Sequence, residues 1–278
     1  MSSNVKLDIF GGLEKFGFQE IIEKDINIFE SPKPKKTTEV TAPKVFDINN
    51  IVYAKKFNCP VCLGIFESYV VKTGKTRLEG IEYDLRSVYT PIEPLFYDIL
   101  SCSLCGYTGD TKTFDRISNK QVELLLTELK PHYKHQEYPI EPSVEQAIDR
   151  YKLALLTATI KKGKQGEKAY FCMKLTWLYR IKGDDPLNEK KFAILTIKGL
   201  TRALEEERTP IMGMEEVTIL YIIAAFSKFL GNNKNALKIL SSIITSRKSS
   251  ERLRDRARDL KDDIMAAAAE NELAKEEH

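Results

Sequence analysis

Histidine is scarce in this 278-residue chain, which has only three, and the sequence contains neither G-x-S-x-G nor H-E-x-x-H. Serine hydrolases and zinc metalloproteases therefore have no candidate residues here, and we expect no enzymatic activity. The sequence also lacks an apolar run of about 18 residues, so no membrane-spanning helix is expected. Its first residues lack the basic segment, apolar core and small-residue cleavage site of a signal peptide, so we expect a cytoplasmic protein.

Neither sign of charge dominates, because the formal net charge at pH 7 is only +3. A balance this small predicts no general attraction to nucleic acids or membranes. Basic residues outnumber acidic ones between residues 144 and 249, but they are scattered along that range. Hydrophobic residues make up 42% of the chain, which is ordinary for a globular protein and sufficient for a core.

Cysteine is also rare, and four of the five cysteines form two C-x-x-C steps. Cys59 and Cys62 lie in FNCPVCLGIF, and Cys102 and Cys105 lie in LSCSLCGYTG. In a reducing compartment such pairs favour metal binding over disulfides. Four thiolates hold Zn²⁺ tetrahedrally, so the sequence predicts a closed four-cysteine site. The interval of residues 63–101 is longer than the roughly 15–20 residues common in zinc-site patterns, and strands are expected to fill it.

Iron is the alternative to zinc, because it is held by four sulfurs in the same geometry. CSLCGYTGD resembles the knuckle of rubredoxins, which bind iron. The fifth cysteine, Cys172, falls on the inner face of a predicted helix and is interpreted as a core residue. His132 and His135 form an H-x-x-H step, but a complete four-cysteine set makes them surplus as metal ligands.

Residues 52–117 read as β-strands and turns, because strand candidates alternate there with turn signals such as TG at 73–74, Pro91 and Pro94. ESYVVK (67–72) and KTRLEG (75–80) are predicted to pair as a hairpin across the TG turn between them. EYDLRSVY (82–89) and LFYDILS (95–101) are two further predicted strands.

The remainder of the chain reads as helical. SNKQ at 118–121 and SVEQ at 143–146 are capping-box signatures, which mark helix starts. In residues 219–244, Gly231 takes a turn and Ala236 a close helix–helix contact, as in helical-pair repeats of the tetratricopeptide type. Apolar periodicity predicts five helices at roughly 166–182, 187–207, 215–230, 233–247 and 250–273.

Four segments together are similar to one known family, namely CPVC (59–62), RLEGIEYDLRSVYTPIEPLFYDILSCSLCGYTGDTKTF (77–114), LTWLYRIKGD (175–184) and ILYIIAAFSKFLGNNKNALKILSSII (219–244). They resemble the bacterial family catalogued as domain of unknown function 2225, over most of residues 50–250. The resemblance implies a zinc-ribbon-like front joined to tetratricopeptide-like helices. It also implies that the family's metal positions correspond to Cys59, Cys62, Cys102 and Cys105. The family has no assigned activity, so the resemblance implies none.

We therefore expect an α+β protein with three parts. Residues 1–44 form an N-terminal arm and a flexible linker, because SPKPKKTTEVTAPK is rich in Pro, Lys and Thr and has almost nothing to bury. Residues 45–117 form a small β-rich, zinc-ribbon-like module. Residues 118–278 form an all-α, tetratricopeptide-like region.

Three functions agree with this pattern. The sequence favours a non-enzymatic cytoplasmic adaptor, in which zinc stabilises the β module and the helices present a groove to a protein or peptide partner. The second is a nucleic-acid-associated zinc-ribbon regulator, which requires a continuous Lys/Arg stripe and salt-sensitive binding. The third is a rubredoxin-like iron electron carrier, which would be coloured when purified. The pattern names no partner, pathway or oligomeric state.

Overall fold

The structure, a computed structural model, describes residues 47–276, with side chains described up to residue 270. The predicted arm and linker over residues 1–44 lie outside the described residues. Within the described range, strand pairs come first and α-helices make up most of the rest, so the α+β class is confirmed. The boundary between residues 117 and 118 stays a prediction.

Six short strands form three separate antiparallel pairs in the described part of the chain: β1 with β2, β3 with β4, and β5 with β6. β1 leads directly into Cys59 and β5 into Cys102, so each cysteine step occupies the turn of a hairpin. The strands span Val52–Asn58 (β1), Ile65–Val71 (β2), Arg77–Ile81 (β3), Ser87–Thr90 (β4), Ile99–Ser101 (β5) and Thr108–Asp110 (β6).

The hairpin predicted across the TG turn is wrong. ESYVVK pairs backward with β1, with Tyr69 opposite Ala54, and it does not pair forward with β3. The TG sequence does form a turn, in which Gly74 has a positive φ of 75°, but the strands on either side belong to different pairs. β2 is already paired because the chain reverses at the first cysteine step, which brings β1 alongside.

The two other strand predictions hold only for part of each segment. In EYDLRSVY (82–89) only the last three residues are extended, as the start of the strand Ser87–Thr90. The preceding residues form a turn closed by Glu82 and Arg86, because the Glu82 N–H donates to the Arg86 carbonyl at 2.8 Å. LFYDILS begins in the short 3-10 helix Pro94–Tyr97 and becomes a strand only at Ile99–Ser101.

Seven α-helices follow within the described residues, close to the predicted ranges. Both predicted capping boxes are present, because Ser118 and Ser143 each exchange hydrogen bonds with the glutamine three residues later. Gly183 caps its helix in the left-handed conformation, with a φ of 79°. The helices span Asn119–Glu128 (α1), Val144–Ile160 (α2), Gln165–Lys182 (α3), Pro186–Glu206 (α4), Glu216–Phe229 (α5), Asn233–Thr245 (α6) and Glu251–Glu276 (α7).

Consecutive helices pack against each other from α2 to α7, so the helical part is built by stacking neighbours along the chain. α5 lies at the centre of this stack because it contributes to two buried clusters. Ile222 and Phe226 belong to a cluster with residues of α2, α3 and α4, whereas Tyr221 and Ala225 belong to a cluster with residues of α6 and α7. None of the described helices is both long and apolar enough to cross a membrane.

A buried carboxylate ties the turn between β3 and β4 to the helices. Asp84 is 0% exposed, accepts a hydrogen bond from Trp177 Nε1 at 3.0 Å and pairs with Arg180 Nη1 at 2.8 Å. Arg180 also pairs with Glu82 at 2.8 Å and with Glu189 of α4 at 2.9 Å. A buried charge is costly unless it is paired and hydrogen-bonded, so these contacts hold the turn on α3.

Replacing Arg180 with glutamine leaves the Asp84 carboxylate buried with neutral donors only. We therefore expect Arg180→Gln to lower the free energy of unfolding by about 3–5 kcal/mol, measured by urea denaturation. The further change Asp84→Asn removes the unpaired charge, so the double variant should be less damaged than the two single effects combined. Arg202→Gln, which breaks an exposed pair with Glu206, is the control and should change stability little. Equal losses at Arg180 and Arg202 would contradict this role.

Ala236 is 0% exposed in the cluster shared by α5, α6 and α7, as the sequence predicts for a close helix–helix contact. Ala236→Leu forces a larger side chain into this contact, so we expect a loss of about 1–3 kcal/mol in the free energy of unfolding. Ala268→Leu makes the same change at an exposed position of α7 and should leave stability nearly unchanged. If Ala236→Leu were as stable as the wild type in urea, the helix–helix contact would accommodate a larger side chain, and the prediction would be contradicted.

Candidate metal centre

The four predicted cysteines converge between the first and the last strand pair. Their Sγ atoms all lie within 4.8 Å of one another. Two of the distances join the two hairpins directly, with Cys59 Sγ 3.6 Å from Cys105 Sγ and Cys62 Sγ 3.7 Å from Cys102 Sγ. The structure thus brings together every residue predicted as a ligand, and ligation itself stays a prediction.

The two cysteine steps share one pattern of backbone hydrogen bonds. In the first step the Leu63 N–H donates to the Cys59 carbonyl at 3.0 Å, and the Cys59 N–H donates to the Gly64 carbonyl at 2.9 Å. The second step repeats both bonds, from the Gly106 N–H to the Cys102 carbonyl at 2.9 Å and from the Cys102 N–H to a carbonyl five residues later at 2.8 Å. The repeated pattern presents each pair of sulfurs on a tight turn.

The residue after the second cysteine is left-handed in both steps, with a φ of 60° at Leu63 and 79° at Gly106. Leucine accepts this conformation at the first step, but the second step requires glycine for an additional reason. A Cβ atom at Gly106 would lie 2.4 Å from the ring of Tyr133, which packs against the turn. Gly106 is therefore required both by its positive φ and by a close contact that the sequence does not reveal.

The thiols share protons because they lie so close together. The pKa of Cys102 is lowered, first by hydrogen bonds from the thiols of Cys105 and Cys59 and then by nearby backbone N–H groups. Contact with Cys102 is the largest cause of the raised pKa of both Cys59 and Cys105. A dication that replaces the shared protons would hold further thiolates, since a coordinating thiol is deprotonated outright.

The four sulfurs fit a tetrahedral metal ion. Zn–S bonds of about 2.3 Å place the sulfurs of a regular tetrahedron about 3.8 Å apart. The two distances between the hairpins, 3.6 and 3.7 Å, agree with that spacing. Cys59, Cys102 and Cys105 are buried and Cys62 is half-buried, as expected for a closed site. Zinc and iron fit this donor set alike.

The chain matches, over residues 52–264, the family described as "Uncharacterized protein conserved in bacteria (DUF2225)". It belongs to this family. The matched range runs from β1 into α7 and includes all four cysteines of this DUF2225 member. Comparison with curated proteins and with solved structures gave no match.

Two of the segments that carry the DUF2225 resemblance meet in the fold. RLEGIEYDLRSVY supplies Asp84, and LTWLYRIKGD supplies Trp177 and Arg180, which bind that carboxylate. The two segments are far apart in sequence, so their pairing is visible only in the folded chain. Their contact gives a physical reason for the presence of both segments beside the cysteine steps.

An aromatic and aliphatic core surrounds the sulfurs and joins the strands to α1 and α2. Phe114 lies at its centre, with its ring centroid 4.6 Å from that of Tyr107 and 5.7 Å from that of Phe66. The Tyr107 hydroxyl donates to the Phe114 carbonyl at 2.8 Å. Leu125 and Leu129, from α1 and its C-terminal cap, are buried in the same core. The four-cysteine cluster therefore lies within the apolar core.

The loop before α2 contacts the second cysteine step through His135, and the sequence does not predict this contact. His135 Nδ1 lies 2.9 Å from the carbonyl of Ser103, 32 residues earlier in the chain and inside the second cysteine step. The cluster of potential ligands contains neither His135 nor His132. The H-x-x-H spacing carries no signal for this contact, because the contact depends on the loop folding back over the step.

Cys172 lies apart from the four-cysteine cluster, in α3. It is 5% exposed in the apolar core of the helices, and burial raises the pKa of its thiol to about 12. A high pKa makes the thiol a poor nucleophile and a poor metal ligand. The sequence interpretation of Cys172 as a core residue is confirmed.

We expect one zinc ion per chain, bound by Cys59, Cys62, Cys102 and Cys105. Structural zinc contributes on the order of 10–16 kcal/mol of apparent binding energy in small peptides, and two-stranded pairs are marginally stable alone. Cys102→Ser should therefore lose the metal and expose both cysteine steps to limited proteolysis. The circular dichroism of the helices should largely persist, because they bury one another's faces.

Cys172→Ser is the matched control and should retain the wild-type metal content, measured by elemental analysis. Two results would contradict the assignment. One is wild-type protein that contains no metal after purification under reducing conditions. The other is Cys102→Ser protein that retains zinc at full stoichiometry.

Proposed function

We propose that this protein is a non-enzymatic, cytoplasmic adaptor. In this proposal a zinc ion holds a zinc-ribbon-like β part together, and tetratricopeptide-like helices present a binding surface to a protein or peptide. The closed four-sulfur arrangement supports a structural metal, because a tetrahedral ion with four protein ligands keeps no open position for a substrate. Free thiols at such a site also suit a reducing compartment.

Two buried ion pairs support a structural use of the contacts that the β3–β4 turn and the end of α2 make with α3. Asp84 and Arg180 satisfy each other there, and Lys161, 5% exposed, pairs with Glu167 at 2.6 Å. Catalytic acids and bases instead need groups that reach a reacting atom. Charges that are satisfied inside the fold suit a scaffold better than an enzyme.

The observation that carries the proposal is the outer face of α4. Three large apolar side chains are exposed on it, with Leu187 at 80%, Ile194 at 54% and Leu195 at 39%. Lys191 and Lys198 are also exposed and fall on the same face at helical spacing. We call these five residues the α4 face. The opposite side of the helix is buried against α3 and α5, so the α4 face points away from the core.

The α4 face matches an acidic peptide with apolar anchors. Leucine and isoleucine side chains offer apolar contact, and the two lysines attract carboxylates and disfavour basic partners. Helix-in-groove recognition uses this combination of apolar anchors and flanking charges. We therefore assign the partner to that chemical class.

Fluorescence anisotropy with a labelled synthetic peptide tests this function. The probe carries leucines at helical spacing with glutamates between them, and its control replaces the glutamates with glutamine. We expect the wild type to prefer the glutamate peptide. Ile194→Glu should weaken binding about tenfold or more, because burying such a side chain contributes about 1.5–3 kcal/mol and each 1.4 kcal/mol is tenfold.

Met265→Glu is the matched control, since Met265 on α7 is also 54% exposed. It should leave binding unchanged. Equal weakening by both substitutions, or no preference for the glutamate peptide, would contradict the proposal. A DNA duplex that binds more tightly than the peptide, with affinity that falls steeply with salt, would favour the nucleic-acid alternative instead.

A further inference from the structure

A cavity of about 310 Å³ lies beside the second cysteine step and contains none of the four cysteines. Its wall is formed by β2, β5, the loop before α2, and α2 itself. Its size is at the lower end of the roughly 300–1,000 Å³ typical of small-molecule sites. The wall is rich in hydroxyl groups, from Ser68, Tyr97, Ser101 and Ser103, and it includes the guanidinium-bearing side chain of Arg150.

Arg150 is only 5% exposed, and its partners are all neutral. Its Nε donates to Ser101 Oγ at 3.4 Å, its Nη1 donates to the Phe96 carbonyl at 3.2 Å, and its Nη2 donates to the Ile99 carbonyl. Its guanidinium carbon also lies 4.7 Å from the ring centroid of Tyr138. These contacts orient the guanidinium without neutralising its charge.

Within residues 47–270 no carboxylate pairs with Arg150. A guanidinium has five N–H donors, so three hydrogen bonds leave one N–H on each terminal nitrogen. A buried cation without a counter-charge is costly, and an anion in the cavity would lower that cost. Two carboxylates do line the cavity, at Glu67 and Glu137, but both residues are exposed and neither pairs with Arg150. The Glu137 carboxylate instead lies 3.6 Å from His135 Nε2.

We propose that this cavity binds the carboxylate group of a small organic acid or of a peptide C-terminus, with Arg150 as the cationic partner. A planar carboxylate matches the remaining N–H donors of a guanidinium, and the hydroxyls of Ser68 and Ser103 offer further donors. The Tyr97 hydroxyl is already committed, because it donates to the Ile140 carbonyl at 2.9 Å. One buried positive charge balances one carboxylate, whereas a phosphate dianion would bring one negative charge more than Arg150 can balance. This site is separate from the α4 face and does not depend on the adaptor function.

Binding is tested on the full, metal-loaded chain by ligand-observed NMR with ¹³C-labelled acetate. We expect saturable one-site binding with a Kd on the order of 1 mM, since so small a ligand makes few contacts. Inorganic phosphate should bind at least about fivefold more weakly. No saturable acetate binding, or tighter binding of phosphate than of acetate, would overturn the proposal.

Variants locate the site. Ser68→Tyr fills the cavity from a strand position opposite Lys55 and leaves every hydrogen bond of Arg150 intact, so it should abolish acetate binding. Ser242→Tyr makes the same change at an exposed position of α6 and should bind like the wild type. Arg150→Lys keeps the charge but loses the planar fork, so we expect about tenfold weaker binding.

Arg150 also holds α2 to β5, so the folding of Arg150→Lys is checked by metal content and circular dichroism. If Arg150→Lys fails to fold, the location of the site is tested by Ser68→Tyr alone. Unchanged acetate binding by Ser68→Tyr would show that acetate does not bind in this cavity. The carboxylate could belong to a small organic acid or to a peptide C-terminus. Comparing the binding of a tripeptide with a free C-terminus, of its amide and of acetate separates these two ligands. Tighter binding of the free peptide than of acetate assigns the site to peptide C-termini, and weaker binding assigns it to small acids.

Discussion

The convergence of four sulfurs on one point is the constraint on which the rest of the β part depends. The described strands pair only in twos, and a two-stranded hairpin is marginally stable in water. A metal ion bound at the cysteine steps would join the hairpin of β1 and β2 to that of β5 and β6, although residues 72–98 separate them. The interval between the steps is long because it contains the hairpin that docks on the helices.

Buried polar groups complete this connection on the helical side. Asp84 is bound by Trp177 and Arg180 of α3, while Arg150 of α2 binds carbonyl groups beside β5. These contacts differ in energetic character. The first is a buried ion pair, so removing one partner leaves an unpaired charge. The second is a cation among neutral acceptors, which fixes α2 against the strand and leaves its charge without a carboxylate partner among residues 47–270.

Local signals in the sequence predict much of this structure. The C-x-x-C spacing predicts the four-cysteine site, and the capping boxes at Ser118 and Ser143 predict helix starts, because each depends on residues a few positions apart. The pairing of β2 could not be predicted from such local signals. The TG turn is present, but β2 pairs with β1 because the chain reverses at the first cysteine step. The contacts of Asp84, His135 and Arg150 are equally hidden, because each joins residues more than 30 positions apart.

The two proposed binding surfaces differ in their expected dependence on the metal. The carboxylate cavity includes Ser103, which lies inside the second cysteine step, so disorder of that step would dismantle part of its wall. The α4 face belongs to a helix that packs between α3 and α5, whose buried contacts do not include the sulfurs. Loss of the metal would therefore remove carboxylate binding and spare peptide binding at α4. In such a protein, carboxylate binding in the cavity depends on metal binding by the four thiols, whereas peptide binding at the α4 face does not.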